Sequence, residues 1–582
     1  MIYCLIDGMK AYPSTGSNIK LTLENPFIKS SGDHTMQVSF PLDIPENRVV
    51  FGNINRIDVS KSKTVFEDCS LLCGTTVLLR GSGKLTSFSE KEVRLQLLGT
   101  SSNVKTKAEG LYIDEVVFPE MIEPYLTWCK KSNIEVDASI VERGFGGVKG
   151  EYVFFTVVND TTGRKYNRLR CYNNGTKMVY WLKRPAVQVN VMFVLKYVLK
   201  ALGYELVSNV YDVTPWNELY IVNLRRTPKI NKALPHWKVS TFLDEFQKLF
   251  NAVFIYDDVN MKVSIESYSD LQNKNRVEYK HEEAFSSDFD EEGVSYVGSN
   301  NIKYDLVTCS DQKYAREIPD DIFESFDYRE YNTLAEMLSA EGSRTKKELL
   351  TTLYFMKDCG YVYWRIVDEE QGIMSYQICG FFDTLVKKGN KRSSNTTELK
   401  MVPVPIGESF VNESVIEDKC MMPCIEGPEN EADSKDDEED VITVQDVLED
   451  EMSVEKEEED EHMYLAFLES KTAIFYYDGR NDRYYGIMKA FADRRESNVS
   501  QSWSLSLIAS TGIVHNVGKF HKTSVSIGAH NQYVQKFLCD EIPDPKNIYL
   551  FRNKPFLCSK IDLSINDDGV DRMKTGYFYE IL

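Results

Sequence analysis

Hydrophobic and polar residues alternate with a period of two through much of the chain, the pattern of strands buried on one face. Ile19-Lys20-Leu21-Thr22-Leu23 alternates until Asn25-Pro26 stops it, and Met36-Gln37-Val38-Ser39-Phe40 ends at Pro41. Val93-Arg94-Leu95-Gln96-Leu97 is closed by Gly99. Short strands with frequent turns predict a barrel-like β module over residues 1–110. Residues 111–275 open on a predicted strand, Tyr152 to Val158, with a turn at Asn159-Asp160, and then the period changes. Val191, Val194, Leu195, Val198, Leu199 and Leu202 fall on one helical face, with Gly203 placed as a C-cap. A second helix is predicted to start near Ser240 and Thr241, both good N-caps, and to bury Phe242, Leu243, Phe246, Leu249 and Phe250. Ala252 to Tyr256 and Lys262 to Ile265, around a turn at Asp257 to Asn260, form a hairpin behind it. Both helical stripes read as core packing.

Residues 276–425 are mixed and β-rich, with a helix near Thr333 to Ala340 and strands at Tyr361 to Val367 and Ser375 to Phe382. Lys387 to Arg392 reads as a basic, solvated hairpin loop. The segment 462–582 returns to strands, with turn dipeptides at Asp478-Gly479 and Asp568-Gly569. Ile548 to Phe551 and Phe556 to Ile565 are strong strand candidates, and the apolar end, Gly576 to Leu582, is expected to be tucked into a sheet. The predicted fold class is therefore mainly β with an α+β insert, in several barrel-like domains. With 42% apolar and 27% charged residues over a length of 582, the composition is that of a globular chain with a large core.

Charge changes this picture in one place. The formal net charge is -21, but residues 426–461 hold 19 acidic and 2 basic side chains, a net of -17, which leaves -4 for everything else. The body is near neutral and carries one acidic segment, without aromatic residues, expected to be a flexible excursion. A general nucleic-acid binder needs a basic surface, and none is indicated. No apolar run approaches the ~20 residues of a membrane helix, so stable membrane insertion is not expected. The start, Met1 to Asp7, lacks the basic and long apolar regions of a secretory signal. Twelve cysteines without regular spacing read as reduced, mostly buried thiols of a chain made in a cytoplasm.

Motifs for chemistry are near misses. Gly81-Ser82-Gly83-Lys84-Leu85 resembles the end of a phosphate loop, but Leu78 stands where the first Gly belongs and Leu85 where Ser or Thr belongs, so it reads as a turn. Gly144 to Gly150 misses the dinucleotide spacing because Lys149 occupies the third Gly position, and reads as a loop. His281-Glu282-Glu283-Ala284-Phe285 has Phe where a zinc-protease helix needs its second His. Cys420 and Cys424 lack a second ligand pair nearby. Among seven histidines, His236, between Pro235 and Trp237, stands out and reads as structural. Paired carboxylates cannot be selected by spacing among 89 acidic residues. No catalytic, cofactor-binding or metal-ligating residue is assigned, no cofactor is expected, and the chain reads as a non-enzyme.

Three stretches share a pattern. The first is Leu23-Glu24-Asn25-Pro26-Phe27, Gly32-Asp33, Phe40-Pro41-Leu42, Asn47 and Phe51 to Asp58. The second runs from the 190–203 helix through Leu234 to Leu243 and on to Phe250. The third is Lys554 to Ile561, Asp568 to Asp571 and Thr575 to Tyr579. Their order and texture resemble tail and baseplate hub-type structural proteins of tailed phages and prophages. The resemblance implies a homotrimer, with two barrel-like modules per subunit in a pseudo-sixfold ring. That ring joins the tail tube to a spike or other tail-tip proteins in the virion. The acidic segment has no counterpart in the pattern and reads as an insertion, either docking a basic partner or simply solvated. Two other readings stand beside this one. A β-rich surface protein binding carbohydrate would use the abundant Tyr and Trp for stacking, and a glycan- or peptidoglycan-acting enzyme would use an acidic pair. The expected domains are 1–110, 111–275, 276–425, the acidic 426–461, and 462–582. Deletion of residues 428–460 is expected to leave a soluble, folded protein, and loss of soluble protein on expression would contradict the insertion.

Overall fold

The computed structural model describes residues 2–28, 33–56, 64–99, 104–121, 133–136, 147–173, 178–291, 301–305, 327–341, 352–356, 362–367, 374–380, 396–409, 420–427, 460–468, 474–477, 483–494, 503–507, 515–521 and 526–582, save isolated positions within them. The basic loop 387–392, the turn at Asp478-Gly479, most of the glycine-rich stretch 144–150 and the body of the acidic segment lie outside the described residues.

The fold is mainly β. Its largest sheet runs in the order Met9–Ala11, Ile2–Ile6, Val65–Cys73, Thr76–Phe88, Glu92–Gly99, His34–Pro41, Ile19–Glu24, Lys554–Asn566, Met573–Glu580, Asn531–Leu538 and His281–Phe289. The three alternating segments near the N-terminus all lie in it, with Leu21, Val38, Phe40, Leu95 and Leu97 turned inward as their period requires. The seam between the first and last parts of the chain is the antiparallel register Ile19↔Ile565 through Glu24↔Lys560. Side chains reinforce it: Thr22 Oγ1 donates to Asp562 Oδ1 at 2.8 Å, and Asn25 Nδ2 donates to the Cys558 carbonyl at 2.7 Å. The strand Arg276–Val277 also joins this sheet through Ile548–Phe551. Residues 276–289 thus pair with strands of the C-terminal part.

Gly81 to Leu85 are not a turn. They lie inside the 13-residue strand Thr76–Phe88, where a Cβ on Gly83 would stand 2.9 Å from Cys69 Sγ. Glycine serves close approach of two strands here, not phosphate binding. At Asp568-Gly569 the expected hairpin forms, with Gly569 at φ +125. The end of the chain is held by its backbone: Leu582 N donates to the Ser526 carbonyl at 2.9 Å, although the Leu582 side chain is exposed.

A second body contains both predicted helices. Val191–Ala201 is capped by Asn190, whose Oδ1 accepts from Met192 N and Phe193 N, and Gly203 follows its last turn at φ +96. The second helix, Val239–Phe250, starts before Ser240 and Thr241, and its cap residue is Lys238 with no side-chain cap. The reason is a backbone partner: Val239 N donates to the Leu111 carbonyl at 2.8 Å, which satisfies the helix start from outside. Phe242, Phe246, Leu249 and Phe250 are fully buried. Glu245 is buried on the same face, and its carboxylate is satisfied by Lys248 Nζ at 2.8 Å and the Lys400 backbone N–H at 2.6 Å. The hairpin Ala252–Asp257 and Lys262–Ser267 forms as expected, and Glu205–Asn209 adds a parallel third strand. A separate sheet under the helices has the order Met401–Pro403, Met463–Leu468, Leu219–Ile221, Gln188–Asn190 and Tyr152–Val153. The helix Leu334–Glu341 and the antiparallel strands Val362–Val367 and Met374–Gly380 match the pattern in the middle of the chain.

The predicted strand Tyr152 to Val158 is broken into Tyr152–Val153 and Val157–Asn159. Side chains take over the backbone pairing between them. Phe155 N donates to Gln188 Oε1 at 3.1 Å, and the Phe155 carbonyl accepts from Asn167 Nδ2 at 2.9 Å. Asn167 is fully buried at φ +57. Its amide also donates to the Ala186 carbonyl at 2.6 Å and Gln188 Oε1 at 3.2 Å, and its Oδ1 accepts from Ala186 N at 2.7 Å. Replacing Asn167 with Ala strands these buried partners, each costing about 1–3 kcal/mol, and puts a Cβ residue without a polar side chain in the left-handed region. The expected result is a loss above about 3 kcal/mol in chemical denaturation, with the circular dichroism of any folded fraction unchanged. A loss under about 1 kcal/mol would show that the network is dispensable.

Candidate functional site

Among the described residues, polar groups converge where residues 111–115, 225–239 and 460–462 meet. Pairing of Tyr112 with Lys238, together with Ile113 N donating to the Trp237 carbonyl at 2.8 Å, lays the short 3-10 turn Ile113–Glu115 alongside residues 236–238. This places Asp114 against His236: Nδ1 lies 3.1 and 3.0 Å from the two carboxylate oxygens, and both side chains are largely buried. Tyr112 stacks on the imidazole with ring centroids 4.0 Å apart and planes within 9°. Asn231 Nδ2 donates to the Asp114 carbonyl at 2.7 Å and steadies the turn.

Asp460 enters from the other side. Its Oδ2 accepts from His236 N at 2.6 Å and from Arg225 at 3.5 Å, its N donates to the His236 carbonyl at 3.1 Å, and its carbonyl accepts from Trp237 Nε1 at 2.5 Å. Asp460 is therefore held through backbone and side chain together. Its partner Arg225 also donates to the Leu234 carbonyl at 3.2 Å and sits on Asn223, whose Oδ1 accepts from Arg225 N at 2.9 Å. At the other end of the acidic stretch, a Cβ on Gly427 would stand 2.8 Å from Leu224 Cδ1. The two described ends of the stretch thus reach adjacent residues, Leu224 and Arg225.

Beside this cluster, Asp305, Glu461 and His462 each bring one ligand atom within 4.8 Å of the others. His462 Nε2 lies 3.2 Å from Asp305 Oδ2, and Nδ1 lies 3.9 Å from Glu461 Oε2. A third group lies at the junction of the two bodies. Asp33 Oδ1 accepts from Glu24 N at 2.8 Å, and burial, with Asp258 and Glu24 nearby, pushes the Asp33 carboxyl up to about 6. His34 opposes this shift, and Asp258 in turn accepts from Tyr204 OH at 2.8 Å.

The motif near misses separate from these groups. His281 to Phe285 lie on a strand, His281–Phe289, so no helical face exists to hold a metal there. Cys424 is buried, and its residue pairs with Val158 in a parallel ladder. His236, expected from its neighbours to be structural, is hydrogen-bonded to Asp114 and Asp460, and no spacing in the sequence singles out these two partners. Positions 114, 236 and 460 are far apart in the chain, and no spacing rule connects them. Asp305 and Glu461-His462 are equally silent.

The Asp114–His236–Asp460 arrangement works as a clasp on the end of the acidic stretch. Excision of 428–460 removes Asp460 from it, whereas stopping at 458 retains it. Asp460→Ala leaves the His236 N–H and Arg225 without their carboxylate acceptor and is expected to cost about 1–3 kcal/mol in urea denaturation. Asp460→Asn keeps an acceptor oxygen and is expected to cost less than half as much. Equal losses would show that the acceptor geometry does not matter.

No family model matches the chain, and no curated protein matches it. Among solved structures, it is similar to the 43 kDa tail protein of prophage MuSo2 from Shewanella oneidensis. That likeness has a TM-score of 0.31 and 8% identity, and covers 99% of this chain and 97% of that one. It is similar also to the tail protein from Neisseria meningitidis MC58, with a TM-score of 0.29 and 7% identity, over 100% of this chain and 96% of that one.

Proposed function

We propose that the chain is a non-enzymatic structural part of a phage-type tail, a hub-type subunit that joins the tail tube to a spike or tip protein as a homotrimeric ring in the virion. The observation that carries this reading is the edge of the largest sheet. His281–Phe289 is nine residues long and exposed along nearly its whole length. It pairs with Asn531–Leu538 on one side, and among the described residues no strand covers its other side. Phe285 and Phe289 are 52% and 69% exposed on it. A long, exposed strand edge bearing aromatic residues is an association surface unless it is covered. At the opposite end of the sheet stands the short strand Met9–Ala11, whose Met9 and Lys10 are exposed. A ring in which the last strand of one copy meets the first of the next removes both edges at once, and closed rotational symmetry needs only one such interface.

The seam between Ile19–Glu24 and Lys554–Asn566 suits a load-bearing part, because pulling the ends of the chain apart must break a full ladder. The tail role and the ring both agree with the sequence resemblance. Light scattering coupled to size exclusion is expected to give a mass near three times 67.0 kDa. The double substitution Phe285→Lys, Phe289→Lys is expected to reduce that mass to the monomer while leaving the thermal midpoint of the subunit within a few degrees. A wild-type monomer at every concentration, or a trimer indifferent to both lysines, would overturn this ring.

A further inference from the structure

The side chains Asp305, Glu461 and His462 come from two distant parts of the chain, and the backbone between them fixes how they meet. Asn301–Tyr304 runs parallel to Thr396–Leu399, and Asp305 N donates to the Leu399 carbonyl at 2.9 Å. One residue on, Met463 N donates to the Lys400 carbonyl at 2.9 Å, and Met401–Pro403 pairs with Met463–Leu465. Residues 399–401 therefore hold Asp305 on one side and His462 on the other. Asp460, fastened to His236 and Trp237, fixes the chain just before Glu461.

The His462 side chain is only 5% exposed, and its Nε2 is buried with no hydrogen-bond partner, although Asp305 Oδ2 lies 3.2 Å away. A buried imidazole nitrogen without such a partner is costly. Nε2 and the Asp305 carboxylate oxygen face each other without a hydrogen bond between them. A cation between them turns both into ligands. The separation suits this: two ligands about 2.0–2.1 Å from a tetrahedral ion stand about 3.3 Å apart. Glu461, which is exposed, has an oxygen 3.9 Å from Nδ1 of the His462 ring, and one ligand atom from each of the three residues lies within 4.8 Å of the others. One imidazole nitrogen with two carboxylate oxygens is the donor set of a first-row divalent ion such as Zn2+, with a position left for water.

We propose that Asp305, Glu461 and His462 form a divalent-cation site that takes Zn2+ and clamps the end of the acidic stretch to the strand end at residue 305. Residues 426–461 carry a net charge of -17, and a run of carboxylates of this density attracts divalent cations.

The test uses the full chain, stripped with a chelator and titrated with Zn2+ against a chromophoric competitor. The expected result is about one tight ion per chain, with a rise in thermal midpoint on loading. His462→Gln is expected to weaken the tight site at least tenfold. Should that variant fold poorly, Glu461→Gln, at an exposed position, is expected to weaken binding severalfold without changing the metal-free thermal midpoint. Mg2+ is expected to bind weakly and equally to all of these proteins, through the acidic stretch alone. Absence of tight Zn2+ binding in the wild type, or Zn2+ affinity unchanged in both variants, would overturn the site.

Discussion

The buried amide of Asn167 is the constraint on which the inner body depends. The chain must turn at Phe154–Thr156, between two short strands, in the middle of an apolar core. A turn there leaves backbone N–H and C=O groups without ladder partners, and water cannot reach them. Asn167, held at a positive φ, supplies both a donor and an acceptor, and Gln188 supplies the rest. Thr156 extends the network in the other direction: its N donates to the Met488 carbonyl at 2.9 Å, and its hydroxyl accepts from Met488 N at 3.3 Å. Hydrophobic side chains of the required size are interchangeable to a degree. This set of donors and acceptors is not, because each group left over costs about as much as several well-packed methyl groups.

The same polar thread leads outward. Gln188 Nε2 donates to the Asn223 carbonyl at 3.2 Å, Asn223 engages Arg225, and Arg225 reaches Asp460. Asp460 is held by His236, and His236 rests on Asp114. A continuous run of hydrogen bonds and ion pairs thus connects the core turn at residues 154–156 to the point where the acidic stretch rejoins the body. Each member is oriented by its neighbour, so the clasp at His236 inherits the rigidity of the core. The metal site proposed at Asp305, Glu461 and His462 lies on this same rim and draws on the same positioning.

The outer body is organised differently. Its large sheet owes its continuity to backbone pairing between segments more than 500 residues apart, Ile19–Glu24 with Lys554–Asn566. Its apolar faces pack in a core of their own, with Phe40, Phe51 and Phe66 from one part of the chain and Phe537, Phe551 and Phe578 from the other. Asp33 and Asp258 stand where this body meets the inner one. The rise of the Asp33 carboxyl to about 6 reflects a charge left among other acids away from water.

Local structure was written in the sequence. The period of two at Ile19–Leu23, Met36–Phe40 and Val93–Leu97, the helical stripes from Val191 and Phe242, Gly203 after the first helix and Asp568-Gly569 in the last hairpin all depend on neighbours within a few residues. So did the body's near-neutral charge and the single acidic stretch. Tertiary structure decided what depends on partners distant in the chain. It set the start of the second helix, because the Val239 N–H is satisfied by Leu111. It drew Gly81 to Leu85 into a strand, because they pair on both sides, with Val65–Cys73 and with Glu92–Gly99. It divided Tyr152 to Val158, because Asn167 and Gln188 offer the backbone better partners than a ladder. The candidate site belongs wholly to this second class. His236 was conspicuous beside Trp237, but Asp114, Asp305 and Asp460 are ordinary acidic residues among 89 until the fold brings them together. Hydrogen bonds and ligand geometry act over about 3 Å, and only the folded chain sets which atoms come that close.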